Sequence, residues 1–217
     1  MPAFPTLLTP RLQLREIVTA DVPALFDIHS DDDAMRWYGA DPLLSLSDAE
    51  KLVNFFAGWR SLPNPGTRWG IALRTGGPLI GTCGLFKWNR SWRSCALGYE
   101  LARAAWGQGL MQEALAATLQ WGFENMALNR IDAQVHPENT ASIKRLEALG
   151  FEREGLLRQA GFWLGEYRDL LQFSLLRQEH EAQVLPPRSP TTCGSLPPEG
   201  AVVALGRPGG DLAPSAA

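Results

Sequence analysis

The feature that most restricts how this chain can fold is a change of apolar period across two glycines. A series of short strands closes with Cys95 to Leu101. Beyond Gly107 and Gly109, the stretch Leu110 to Met126 repeats Met111, Leu115, Leu119 and Phe123 every four residues. A spacing near 3.6 marks an amphipathic helix, whereas alternation marks a half-buried strand. Strand, glycine loop and helix are therefore consecutive, and this order organises the rest of the chain.

Upstream, Leu12 to Val18 alternates as a strand, and Thr19 or Asp21 can cap a helix running to about His29. Ser47 to Trp59 predicts a second helix, opened by a capping box at Ser47-Asp48-Ala49-Glu50. Trp69–Arg74 and Leu79–Trp88 predict strands joined at Gly76-Gly77, with a further turn over Asn89–Arg93. Downstream come a strand over Arg130–Val135 and a helix from Asn139 to Leu149 that stops at Gly150. A closing hairpin follows, Glu152–Phe162 and Tyr167–Leu176, around Leu164-Gly165-Glu166. The order predicts an α/β (α+β) fold, a mixed sheet covered by helices.

The periodic patterns end near residue 180. From Pro186 to Ala217 there are seven prolines, five glycines, four charged residues and no aromatic. Such a segment buries too little apolar surface to offset its chain entropy. We expect one domain over residues 1–180 and a disordered tail over 181–217. A formal net charge of -3 gives no global basic field, so nucleic acid is not expected as the primary ligand. No metal spacing occurs among the histidines, cysteines and carboxylates, and the three cysteines form no framework, which fits a reducing cytoplasm. Neither a secretory signal nor an apolar run of roughly 18 residues is evident, so no membrane partner is expected.

The chemistry concentrates in Trp106-Gly107-Gln108-Gly109-Leu110-Met111. Glycines remove side chains where a ligand must approach backbone, and the free N–H groups of a first helical turn attract anions. The arrangement suits a pyrophosphate, with a plain turn into the helix as its structural alternative. It lacks the Lys-Ser/Thr of a P-loop and the third glycine of a dinucleotide fingerprint.

Several elements at matching spacing resemble the GCN5-related N-acetyltransferase (GNAT) superfamily, in particular its RimJ/RimL-like branch of ribosomal-protein N-terminal acetyltransferases. They are Thr9-Pro10-Arg11-Leu12-Gln13-Leu14-Arg15, Gly98-Tyr99-Glu100-Leu101, Trp106-Gly107-Gln108-Gly109, the helix start Asn139-x-x-Ser142 and Leu149-Gly150-Phe151. The resemblance covers about residues 7–178. It implies a splayed, mostly antiparallel sheet flanked by helices, and acetyl-CoA as the acetyl donor with coenzyme A as product. It also implies that Trp106, Gly107, Gln108, Gly109, Leu110 and Met111 hold the pyrophosphate and that Glu100, Leu101 and Ala102 hold the pantetheine arm. Asn139 and Ser142 would line the thiol end. Ala104 departs from the pattern, standing where the family usually has Arg or Gln.

Acetyl transfer requires a neutral amine, although an α-amine titrates near about 8 and a lysine near about 10. A proton acceptor is needed, and a donor assists the leaving thiolate. Ser142 is the candidate donor, with helix capping as its structural alternative. Glu100 is the candidate base or water-positioner, with a solvated strand-end carboxylate as its alternative. Trp37, Tyr38, Trp88, Trp92 and Trp163 could wall an amine groove. Asp31, Asp32 and Asp33 read as a solvated loop, and His29 as core. The leading expectation is an N-acetyltransferase acting on a protein or peptide N-terminal α-amine, as monomer or homodimer. The alternatives are a small acceptor (polyamine, amino acid or antibiotic), a non-catalytic acyl-CoA sensor, or a scaffold.

Overall fold

A computed structural model describes residues 3–184. One eight-stranded sheet forms the frame, in the order β1-β2-β3-β4-β5-β6-β8-β7. Its strands are β1 (Leu7–Leu8), β2 (Leu12–Arg15), β3 (Thr67–Leu73), β4 (Leu79–Asn89), β5 (Ser94–Leu101), β6 (Arg130–Val135), β7 (Glu152–Trp163) and β8 (Glu166–Leu176). Every neighbouring pair is antiparallel except β5 and β6, which run parallel. That exception follows from the glycine loop. A parallel pair needs a long crossover, and helix α4 (Leu110–Asn125) supplies it.

Two apolar layers cover the sheet. On one face, α4 sends Met111, Leu115, Leu119 and Phe123 against Trp69, Leu85, Leu97, Ile131 and Phe173, joined by Leu146 of α5 (Thr140–Ala148). The other face carries α1 (Val22–His29) and α3 (Leu46–Gly58), whose Leu25, Val53 and Phe56 meet Ala72 and Leu79. Strand β3 is thus buried on both faces: Trp69 and Ile71 face one layer and Ala72 the other. Truncating a core leucine such as Leu115, fully buried, to alanine typically costs about 2–5 kcal/mol.

Several boundaries depart from expectation for local reasons. The cap of α3 is Ser45, not Ser47, because Ser45 accepts from the Asp48 amide and donates to its carboxylate, completing the pair two residues earlier. A short helix, α2 (Asp32–Met35), stands where a loop was read, since Asp31 caps it by accepting from the amides of Asp33 and Ala34. Beyond β8 the chain continues as α6 (Arg177–Val184), across the expected boundary at 180. From residue 185 the expected tail, Cys193 included, lies outside the described residues. Among the described residues no helix is long and apolar enough to cross a membrane.

Candidate active site

The site begins where β5 and β6 part. They pair from Ser94–Leu97 to Arg130–Ala133 and no further. Gly98 to Leu101 then pairs only with β4, and Gln134 and Val135 only with β8. The V-shaped opening leaves one edge of the β5 backbone with no strand against it among the described residues. An extended, amide-bearing chain can fill such an edge.

At the end of β5 a 3-10 turn, Arg103–Ala105, leads into the glycine loop. Gly107 and Gly109 both have positive φ, +73° and +72°, and a Cβ on Gly107 would meet nothing within 4 Å. Backbone conformation therefore requires these glycines, and the space beside them stays open. Gly109 is the N-cap of α4 and offers no side-chain acceptor, so the first amides of the helix remain free. Arg11 braces this loop. Its guanidinium donates to the Gln108 carbonyl at 2.9 Å and to Glu113 at 2.6 Å, and the Thr9 hydroxyl also donates to Glu113. Burial pushes the Glu113 carboxyl up, but the Thr9 and Arg11 hydrogen bonds outweigh it and hold the group below its ordinary value. The acid one turn into α4 is thereby paired with Arg11, so that its negative charge is offset beside the free helix amides.

Next to the loop is a cleft of about 600 Å³. It brings together Glu100, Leu101, Trp106, Gly107, Met111, Asn139 and Ser142 from the expected set, with Arg103 and Arg145 beside them. Four expected residues do not line it. The Ala102 amide donates to Ile80, the Gln108 side chain folds back to the Ala104 carbonyl, Gly109 is the helix cap, and Leu110 is buried in the core. These four frame the site. Trp106 also ties the loop to β5, donating its indole N–H to the Leu101 carbonyl at 2.7 Å.

Asn139 is the N-cap of α5 and accepts from the Ser142 amide at 3.1 Å. Capping is thus supplied by Asn139, which leaves the Ser142 hydroxyl to face the cleft. The Tyr99 hydroxyl nearby is buried against the Ser142 hydroxyl and Arg145, without a well-aligned hydrogen bond among the described residues. Burial raises its pKa, and the Ser142 hydroxyl and the Arg145 guanidinium offset part of that rise. A hydroxyl without an aligned hydrogen bond, beside free helix amides and open β5 backbone, fits a ligand that carries amides at one end and phosphates at the other.

Glu100 occupies neither environment foreseen for it. Its side chain is only 4% exposed, paired with Arg68 and accepting from Thr82. Burial would raise its pKa, but Arg68 above all, with His29 and Thr82, brings it below the ordinary carboxylate value. A carboxylate held ionised in this way is a weak proton acceptor, so geometry favours an orienting part over that of a base. His29 Nε2 lies 3.3 Å from Glu100 without hydrogen-bond alignment, and the Tyr38 hydroxyl lies 3.4 Å from Arg68. Arg68, Thr82, Tyr99 and Arg11 were not foreseen as site residues. The signal for Arg68 was a lone cation inside the apolar run Thr67–Leu73.

The aromatic wall is only partly as expected. Trp37 and Tyr38 line the cleft. Trp163 supports Trp37 through His136, which stacks on Trp37 at 4.3 Å and meets Trp163 edge-on at 6.1 Å. Trp88 packs on the main core and Trp92 is 79% exposed on the β4–β5 turn, so neither belongs to the groove. Asp31 and Asp33 are tied to Arg103 across the mouth of the cleft, where free solvation was expected.

Comparison with known proteins gives a consistent result. The family described as acetyltransferase (GNAT) domain matches residues 11–152. The uncharacterized N-acetyltransferase p20 of Bacillus licheniformis is 35% identical over 175 residues, covering 81% of this chain and 98% of that protein. The Escherichia coli [ribosomal protein uS5]-alanine N-acetyltransferase is 37% identical over 79 residues, covering 36% of this chain and 41% of its own. Among solved structures, Mycobacterium smegmatis RimJ in complex with CoA-disulfide superposes with a TM-score of 0.70 at 26% identity, covering 77% of this chain and 83% of that one.

Proposed function

Because the chain belongs to the acetyltransferase (GNAT) domain family and is an acetyl-CoA-dependent N-acetyltransferase, we propose that its acceptor is the α-amine of a protein or peptide N-terminus. The observation that carries this reading is the splay of β5 from β6, whose far side opens into a second cavity able to admit a chain end. The partial match to the uS5-alanine enzyme and the RimJ superposition support it.

Acetyl-CoA supplies an activated thioester, and the chain's residues do the rest. The free amides opening α4, with Arg11 behind the loop, hold the pyrophosphate, and the backbone of Glu100 and Leu101 takes the pantetheine arm. Asn139 fixes the turn that aims Ser142, whose hydroxyl donates to the sulfur as the amine's new C–N bond replaces the C–S bond. Glu100 keeps Arg68 and Thr82 in place under the reacting end. One proton of the ammonium leaves to solvent as the amine enters; the second, shed as the C–N bond forms, replaces the proton that Ser142 gives to the leaving thiolate, so the hydroxyl is restored.

The test is mass spectrometry of short peptides incubated with the protein and acetyl-CoA, comparing free and blocked N-termini that also carry an internal lysine. Acetylation confined to the free α-amine is the expected result. Modification of the lysine alone would overturn the assignment.

A further inference from the structure

Beyond the rim shared by Trp37, Tyr38, Tyr99, Asn139 and Ser142 lies a second cavity of about 340 Å³. Its walls include Phe55, Phe56, Trp59, Phe86, Leu52 and Val135, and none of its lining residues is Asp or Glu. One cation, Arg68, sits at its floor. That charge is already matched by Glu100, and the guanidinium lies 5.1 Å from the ring of Phe56 and 5.9 Å from that of Trp59. The aromatic faces best placed to hold a cation are therefore turned toward the protein's own arginine. Phe55, 57% exposed and edge-on to Trp59 at 5.6 Å, extends the apolar wall to the mouth.

We propose that this cavity selects an amine carried next to an aromatic or bulky apolar group over polyamines and over amines carried next to an acid. The inference rests on acetyl transfer at the β5–β6 cleft and names the acceptor class for it. Three physical effects act together. Burying an apolar group of phenylalanine size favours binding by about tenfold to a hundredfold. A second ammonium would be desolvated beside Arg68 with no carboxylate to compensate it. An apolar wall also lowers the pKa of the reacting amine, raising its neutral, nucleophilic fraction.

The experiment measures thiol release by the full chain with acetyl-CoA and four acceptors: a peptide beginning with Phe, the same peptide beginning with Asp, phenylethylamine and spermidine. The Phe peptide is expected to exceed the Asp peptide in kcat/KM by about tenfold or more, with spermidine slowest. Equal or faster turnover of spermidine or of the Asp peptide overturns the inference, as does failure of both apolar amines. Turnover of phenylethylamine with neither peptide accepted sinks the N-terminal reading while leaving the cavity's selectivity standing. The variant F55E places a carboxylate at the exposed mouth. It should keep its fold by circular dichroism and shift the spermidine to Phe-peptide ratio upward by about tenfold, and an unchanged ratio counts against the proposal.

Discussion

The two halves of the cleft are built from different materials. The half beside α4 presents backbone to a ligand: free helix amides, two glycines at positive φ and the edge of β5 beyond its pairing with β6. The half beyond Tyr99 is made of side chains from the segment after α2, α3, β3, β4, β5, β6 and the start of α5, most of them apolar. A backbone cradle recognises what every acetyl donor in the family shares. A side-chain cavity can be changed residue by residue without disturbing the fold, which is why the proposed acceptor selectivity is assigned to it. Glu100 and Arg68 lie where the halves meet, Glu100 on the first and Arg68 on the second.

The largest effect is expected at that junction. Glu100→Gln removes one partner of a buried ion pair and leaves Arg68 uncompensated, at a cost of about 3–5 kcal/mol. The corresponding fall in Tm is roughly 6–20 °C for a domain of this size. Because the folded-state pKa of Glu100 is lowered, its contribution is complete above the ordinary carboxylate range and is lost as pH falls through the folded value. Melting curves of both proteins between neutral and acid pH should therefore converge on the acid side. A variant as stable as the parent at neutral pH would mean that the two halves are held apart by something else.

A smaller effect, confined to chemistry, is expected at Ser142. Ser142→Ala should lower kcat and kcat/KM together by about a hundredfold, with the acetyl-CoA Kd unchanged. Since Asn139 already caps α5, the melting temperature should barely move. Full turnover in the variant would assign thiolate departure to solvent.

The smallest effect tests the backbone half alone. A Cβ at position 109 would come no closer than 3.6 Å to Arg11, so Gly109→Val meets strain from its φ of +72° more than collision. Left-handed backbone costs a non-glycine residue about 1–2 kcal/mol of stability, while the added side chain screens the amides, so acetyl-CoA binding should weaken by about tenfold. Calorimetry measures it, and unchanged affinity in a folded variant would move the pyrophosphate elsewhere. Acceptor preference should not change, which separates the halves.

Each element with a local cause was legible in advance. The strand-loop-helix order around Gly107 and Gly109, the Asn139 start of α5 and the Gly150 stop depend on neighbours a few residues apart. Their period, cap and φ requirements are written into the sequence. The cap of α3 was misplaced by two residues because Ser45 and Ser47 offer the same chemistry, and only the Asp48 geometry separates them.

By itself, then, the sequence determined the mixed sheet, the family and the strand-loop-helix order around Gly107 and Gly109, because those rest on backbone geometry set by short-range pattern. Tertiary structure alone decided the environment of Glu100. Arg68 is 32 residues away along the chain and Thr82 is 18, and only the register of β3, β4 and β5 sets all three side chains in one buried cluster. The same holds for the aromatic cavity, whose walls come from segments as far apart as Trp37 and Val135. Burial and pairing across strands are properties of position in space, and a carboxylate's charge state follows from them rather than from its neighbours in sequence.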